Sequence, residues 1–136
     1  MNRERHVTNQ LTKHFKLTEL MCRCKNERCE HPAGTDEHVI KLAAVLELIR
    51  GLVNKPVKVN SGLRCADHNH AVGGSQGSRH LVGLAADVST KNWTPAEIQL
   101  VMKWCDTTGV FYIRYAKHLH IDLRTQVQVA LPKGEE

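Results

Sequence analysis

"SRHLVGLAAD", residues Ser78 to Asp87, decides how the rest of the chain is read. It sets His80 and Asp87 seven positions apart in a stretch of small and apolar residues. Two ligands of one zinc ion each lie ~2.0–2.2 Å from it, so they approach one another within ~3–4 Å. A helix would put this pair on one face but ~10 Å apart along its axis. A straight strand would hold them more than ~20 Å apart. They share an ion only if the chain turns sharply between them. Gly83 permits such a turn, because glycine reaches backbone angles that other residues avoid. Ala85 and Ala86 leave room for close approach, and "GLAADVST" reads as a loop entering a buried strand.

A second constellation lies at "YAKHLHIDLR", Tyr115 to Arg124. Its alternation is strict: His118, His120 and Asp122 fall on one face, Leu119, Ile121 and Leu123 on the other. A half-buried strand with three residues able to bind metal or move protons fits that pattern; a solvated strand face is the plainer alternative. Taken with His80 and Asp87, the segment supplies enough donors for a catalytic zinc, which takes three protein ligands and keeps one position open.

S-x-H-x-x-G-x-A-x-D followed by H-x-H-x-D resembles the zinc D-alanyl-D-alanine carboxypeptidases and L-alanyl-D-glutamate endopeptidases, which cut peptidoglycan stem peptides. "VNSGLRCADHNHAVGGS", Val59 to Ser75, is similar to the same family's segment before the first ligand, so the resemblance runs from about Asn60 to Arg124. It implies zinc held by His80, Asp87 and His120, with Arg64 facing the substrate and His118 beside the activated water. Some members carry a Glu or Asp three residues before the last histidine ligand as general base. Lys117 stands there in this chain, which places it with the H-x-H branch. The implied fold is the D-Ala-D-Ala carboxypeptidase (hedgehog/DD-peptidase) type.

The chemistry also follows from the residue types. Zinc with three protein ligands lowers the pKa of its water to ~7 and polarises a substrate carbonyl. Amide hydrolysis then needs a group that takes a proton and helps to stabilise the tetrahedral anion. His118, two residues from a ligand and on the same strand face, suits that work. Asp122 either orients a ligand histidine through its second ring nitrogen or forms a surface ion pair with Arg124 or Arg114. Ser78 either contacts the substrate near the metal or closes a turn. Arg64 offers a planar fork for a peptide carboxylate, with a structural ion pair as the alternative.

At 136 residues the chain fits one domain with a real core. An N-terminal segment of about residues 1–34, a catalytic core of about 35–130 and a short polar C-terminal tail are expected. "HVIKLAAVLELIRGLV", with a start signal at Thr35 or Asp36, spaces Val39, Leu42, Leu46, Ile49 and Val53 as one helical stripe. "KPVKVNSG" reads as a strand with Val57 and Val59 on one face, followed by a loop containing Gly73, Gly74 and Gly77. "WTPAEIQLVMKWCDTTG" carries Thr94 as N-cap, Pro95 in the first turn, Glu97 completing a capping box and Gly109 at the end. Ile98, Val101, Met102 and Cys105 form its buried side. "GVFYIRYA" and "HLHIDLR" read as neighbouring strands, with "TQVQVAL" as a further edge strand. The sum is an α+β domain: a small, mainly antiparallel sheet flanked by helices.

The formal charge of +5, with no basic run, favours anionic partners such as cell-wall polymer. Aromatic residues are only 4%, which argues against a stacking platform for nucleic acid. No segment is apolar enough to span a membrane, and a monomer is expected. The opening "MNRERHVTNQLTKHFKL" lacks the apolar core of a secretory signal. A wall-cutting enzyme of that kind would be cytoplasmic at synthesis and reach the wall after release, as phage lysis proteins do, or ride in the virion. Cys65 and Cys105 read as buried free thiols. Cys22, Cys24, Cys29 and His31 lie within ten positions and offer a second, structural zinc site, with a disulfide or reduced thiols as alternatives. A peptidase is the leading reading. Its rival is a non-catalytic zinc-binding module of the same fold that recognises the wall or a protein.

Overall fold

The computed structural model describes residues 9–23, 34–74 and 78–124. Its elements run α1 (Leu17–Leu20), α2 (Thr35–Val53), β1 (Val59–Ser61), α3 (Ala66–Ala71), a 3-10 turn (Arg79–Val82), β2 (Ala85–Ser89), α4 (Pro95–Thr108), β3 (Phe111–Arg114) and β4 (His118–Asp122). The four strands form one antiparallel sheet in the order β1-β2-β4-β3. This is the α+β architecture expected from the sequence. No helix among the described residues is long and apolar enough to cross a membrane.

The two long helices arise as their patterns require. In α2 the expected stripe Val39, Leu42, Leu46, Ile49 and Val53 is buried. Gly34 is its N-cap, so Thr35 is not a cap but a buried residue of the first turn. In α4 the Thr94 hydroxyl accepts from the Glu97 N–H at 3.1 Å and the Glu97 carboxylate accepts from the Thr94 N–H at 2.8 Å, a closed capping box. Helices α2 and α4 pack on each other. Their buried sides join Ala86, Val88, Leu119 and Ile121 of the sheet in one core. Phe15 and Leu20, from the N-terminal segment, are fully buried in the same core.

Two details differ from the pattern-based expectation. Strand β1 is only three residues long, because Pro56 removes a donor and the register shifts between Val59 and Ser61; Val57 is nonetheless buried. The loop after it contains the short helix α3, capped by the Cys65 sulfur, which accepts from the His68 N–H at 3.4 Å. "ADHNHA" has no apolar stripe to announce it. Residue 77 and the edge strand expected over 125–131 lie outside the described residues.

Gly83 ends the 3-10 turn at φ +78°, the left-handed region. A Cβ there would stand 2.9 Å from Val39 Cγ2 and 3.2 Å from the Thr35 carbonyl oxygen. The turn that leads into β2 therefore rests directly on α2. Gly83→Ala should cost about 1–3 kcal/mol through backbone strain, lowering the thermal midpoint by roughly 4–12 °C. An unchanged melting curve would mean that the turn relaxes without needing the positive φ.

Candidate metal centre

The turn and the register of β2 against β4 assemble the site. Ser78 caps the 3-10 turn, its hydroxyl accepting from the His80 N–H at 3.1 Å. The left-handed Gly83 then reverses the chain, and its N–H donates to the Arg79 and His80 carbonyls. Within the sheet, Asp87 is paired with His120. One donor atom from each of His80, Asp87 and His120 lies within 4.8 Å of the others. Asp87 Oδ1 is 3.0 Å from His120 Nδ1 and 3.4 Å from His80 Nε2. The seven-residue spacing that a straight helix or strand could not close is closed here by the turn.

Each histidine is oriented from behind. His80 Nδ1 lies 2.7 Å from the Gly62 carbonyl oxygen, which can only accept, so Nδ1 donates and Nε2 presents its lone pair to the site. That Nε2 is buried and makes no hydrogen bond. An unsatisfied buried nitrogen facing a carboxylate and a second imidazole is the donor chemistry that a divalent metal fits. His120 Nε2 lies 2.9 Å from Asp122 Oδ2, leaving Nδ1 for the site. Asp122 is fully buried and also accepts from the Arg124 backbone N–H at 3.0 Å and from its guanidinium at 2.9–3.2 Å. The contact with the second ring nitrogen of His120 and the ion pair with Arg124 are thus one arrangement, in which Asp122 is buried and Arg124 half-buried. The Arg124 guanidinium stacks 3.8 Å above the Phe111 ring, which meets His120 edge-on.

The electrostatics match this clamp. Burial would lower the His120 pKa, but hydrogen bonds to Asp122 and Asp87 outweigh it and push it up to about 9. Burial opposes ionisation of Asp87, yet the hydrogen bond from His120 and the nearness of the His80 and His120 imidazoles hold its carboxyl well below the usual range. Without a metal, the protonated His120 ring donates one N–H to each of two carboxylates, Nδ1 to Asp87 and Nε2 to Asp122.

Arg64 lies beside the same carboxylate, its Nη2 3.7 Å from Asp87 Oδ2. Its Nε donates to Ser61 Oγ at 3.1 Å and its Nη1 to Asn69 Oδ1 at 2.9 Å, so the fork is fixed. Gly74 packs on that pair; a Cβ there would meet Arg64 Nη1 at 2.6 Å and collide with the Asn69 amide. His118 is paired with Ser89, one alternation from His120 on the same face of β4. Its ring stacks on Tyr115 at 4.6 Å, and its nitrogens make no hydrogen bond among the described residues. Gly62, Asn69 and Arg124 complete the site. Arg124 stands out in the sequence as an ion-pair partner of Asp122, whereas Gly62 and Asn69 lie unmarked within the stretch Val59 to Ser75.

Of the second candidate cluster, Cys22 is half-buried and its sulfur accepts from the Cys65 N–H at 3.3 Å. Cys24, Cys29 and His31 lie outside the described residues. Cys65 and Cys105 are buried free thiols, and burial pushes the Cys105 thiol up to about 12.

No curated protein matches the chain significantly. The family described as peptidase M15 matches residues 13–122, which span all four strands and the His80, Asp87 and His120 set. With most of its length covered and a donor set that could hold a metal, the chain belongs to the peptidase M15 family and is a metallopeptidase by descent.

Proposed function

We propose that this chain is a zinc-dependent peptidase that hydrolyses amide bonds in peptidoglycan stem peptides or their cross-links. The observation that carries the reading is the three-donor set with the buried, unsatisfied His80 Nε2. Three protein ligands leave a coordination position open, as a catalytic zinc needs and a structural one does not. Bound there, zinc supplies Lewis acidity, which makes water a better nucleophile and the scissile carbonyl a better electrophile.

The chain's own residues do the rest. His80, Asp87 and His120 hold the ion, and Asp122 with Arg124 keeps the His120 ring turned toward it. His118 takes a proton from the attacking water and returns it to the departing amine. What supports that role is its position beside His120 and a ring that, among the described residues, is held by stacking alone. Arg64 binds a substrate carboxylate. Its guanidinium is already immobilised by Ser61 and Asn69, so little side-chain freedom is lost on binding. The net charge of +5 suits an anionic wall polymer.

His80→Ala, Asp87→Ala and His120→Ala should each lose stoichiometric zinc and the stability that zinc confers. Tight zinc in all three variants would overturn the assignment. Zinc binding by the unmutated protein at pH 7.5 should release about one proton, since His120 with a pKa of about 9 is then protonated. Calorimetry in buffers of different ionisation enthalpy reads that number. In the metal-free protein the same group stabilises the fold fully below its ordinary pKa of 6.5 and ceases to do so as pH rises through about 9. Chelated protein should therefore lose stability across that window.

His118→Ala should keep its zinc but lose ~10²–10⁴ in turnover on purified peptidoglycan. Full activity would move the base elsewhere. If the unmutated, zinc-loaded protein cuts no wall preparation, a non-catalytic zinc module takes precedence. Arg64→Ala should retain zinc and weaken cleavage of peptides with a free carboxylate, with Arg64→Lys recovering only part, because an ammonium lacks the fork. Parental rates in both would make Arg64 purely structural.

A further inference from the structure

The metal centre occupies only one end of the sheet's open face. Directly paired residues of antiparallel strands project to the same side. Asp87 with His120 forms one row across β2 and β4, and Ser89 with His118 forms the next. On the other side of β2, Val59 pairs with Val88, and the Lys58 carbonyl accepts from the Ser89 N–H at 2.9 Å. Lys58 therefore extends the second row, which runs His118, Ser89, Lys58. At ~4.8 Å between strands this row is ~10 Å long, the length of about three residues of extended peptide.

A cavity of about 160 Å³ lies at its far end, lined in part by Lys58, Asn60, Ser89, Lys91, Asn92 and Trp93. Trp93 is buried, whereas Lys58, Asn60, Lys91 and Asn92 are exposed around it. Neither Lys58 nor Lys91 makes an ion pair among the described residues. The neighbouring Glu97 is already engaged by Lys55 at 2.8 Å. The cavity is thus lined by two lysines that have no ion pair among the described residues, by two asparagines and by Trp93. Its volume would hold roughly five waters at ~30 Å³ each. That accommodates one carboxylate-bearing side chain and is well short of the ~300–1,000 Å³ of a site for a whole drug-sized ligand.

We propose that this cavity is a subsite for a peptide carboxylate, and that it selects acidic peptides for cleavage at the metal centre. The proposal rests on the peptidase reading, because the row from His118 makes the cavity's occupant part of the molecule being cut. The two ammonium groups neutralise the carboxylate, Asn60 and Asn92 donate to its oxygens, and Trp93 packs on its methylene stem.

The probes are L-alanyl-D-glutamyl-L-lysyl-D-alanyl-D-alanine and the same peptide with the glutamate's free carboxyl amidated. The zinc-loaded protein should show a KM about tenfold lower for the free acid, roughly the worth of one hydrogen bond to a charged group. A Lys58→Ala/Lys91→Ala double variant should abolish that discrimination, and a Lys58→Glu/Lys91→Glu variant should reverse it. Binding of both peptides to His120→Ala, measured calorimetrically, should follow the same order without any turnover. Equal KM for the two peptides, or discrimination that survives the double variant, would overturn the subsite. If the unmutated protein cuts neither peptide but binds the acid in a Lys58- and Lys91-dependent manner, the subsite stands and the peptidase reading falls.

Discussion

The pairing of Asp87 with His120 across β2 and β4 is the constraint on which the site depends, because side chains alternate strictly along a strand. A slip of one residue would bring Asp87 opposite Leu119 or Ile121 and send the donors toward the core. That slip is prevented from the other face. Ala86 lies against Ile121 and Val88 against Leu119, and all four are completely buried beneath the helices. Burying even two such apolar side chains in the wrong register would forfeit several kcal/mol, at ~1.5–3 kcal/mol for each. The core thus fixes the geometry of a centre whose own groups repel burial. His80 joins them through a separate device, the glycine turn braced on α2.

Placing a carboxylate, two imidazoles and a guanidinium together is costly unless their charges are matched. Asp87 is the hub of that balance. Arg64, His80 and His120 approach it from three sides, and Asp122 with Arg124 forms a second buried pair behind His120. A proton on His120 satisfies the arrangement in the absence of an ion. A divalent cation bound there would replace that proton and use the His80 nitrogen that the proton leaves unsatisfied. Metal and proton would therefore compete for one pocket.

The sequence disclosed the parts of this design that are written as periodicity or spacing. The stripe in α2, the capping box of α4 and the alternation of His118, His120 and Asp122 are local patterns, and each is realised in the fold. His80 and Asp87 could be joined because Gly83 lay between them. What stayed hidden depends on contacts distant in the chain or on backbone atoms that carry no residue signature. The carbonyl of Gly62 orients His80, but any residue has a carbonyl. Gly62 itself is required by the close approach of Leu20, whose carbonyl oxygen would stand 2.7 Å from a Cβ. Helix α3 is too short and too polar to show a period, yet it brings Asn69 to Arg64. The burial of Phe15 and Leu20 ties the N-terminal segment to the domain, and a polar, charged sequence around them gave no indication of it.

The two histidines of "HLH" occupy equivalent positions on one strand face and are restrained in opposite ways. His120 is fixed at both nitrogens, one by Asp87 and the other by a buried carboxylate, so its ring orientation is determined before any ion arrives. His118 is held through the face of its ring by half-exposed Tyr115. Stacking of this kind limits tilt but leaves the ring edge unconstrained. A ligand needs a fixed lone pair, whereas a proton carrier needs nitrogens that can exchange partners during the reaction. The division follows from what lies behind each residue: Asp122 and Arg124 at the closed end of β4, and Tyr115 at its open end. The same end of β4 leads past Ser89 to Lys58, so the less restrained histidine stands at the head of the row that runs away from His120.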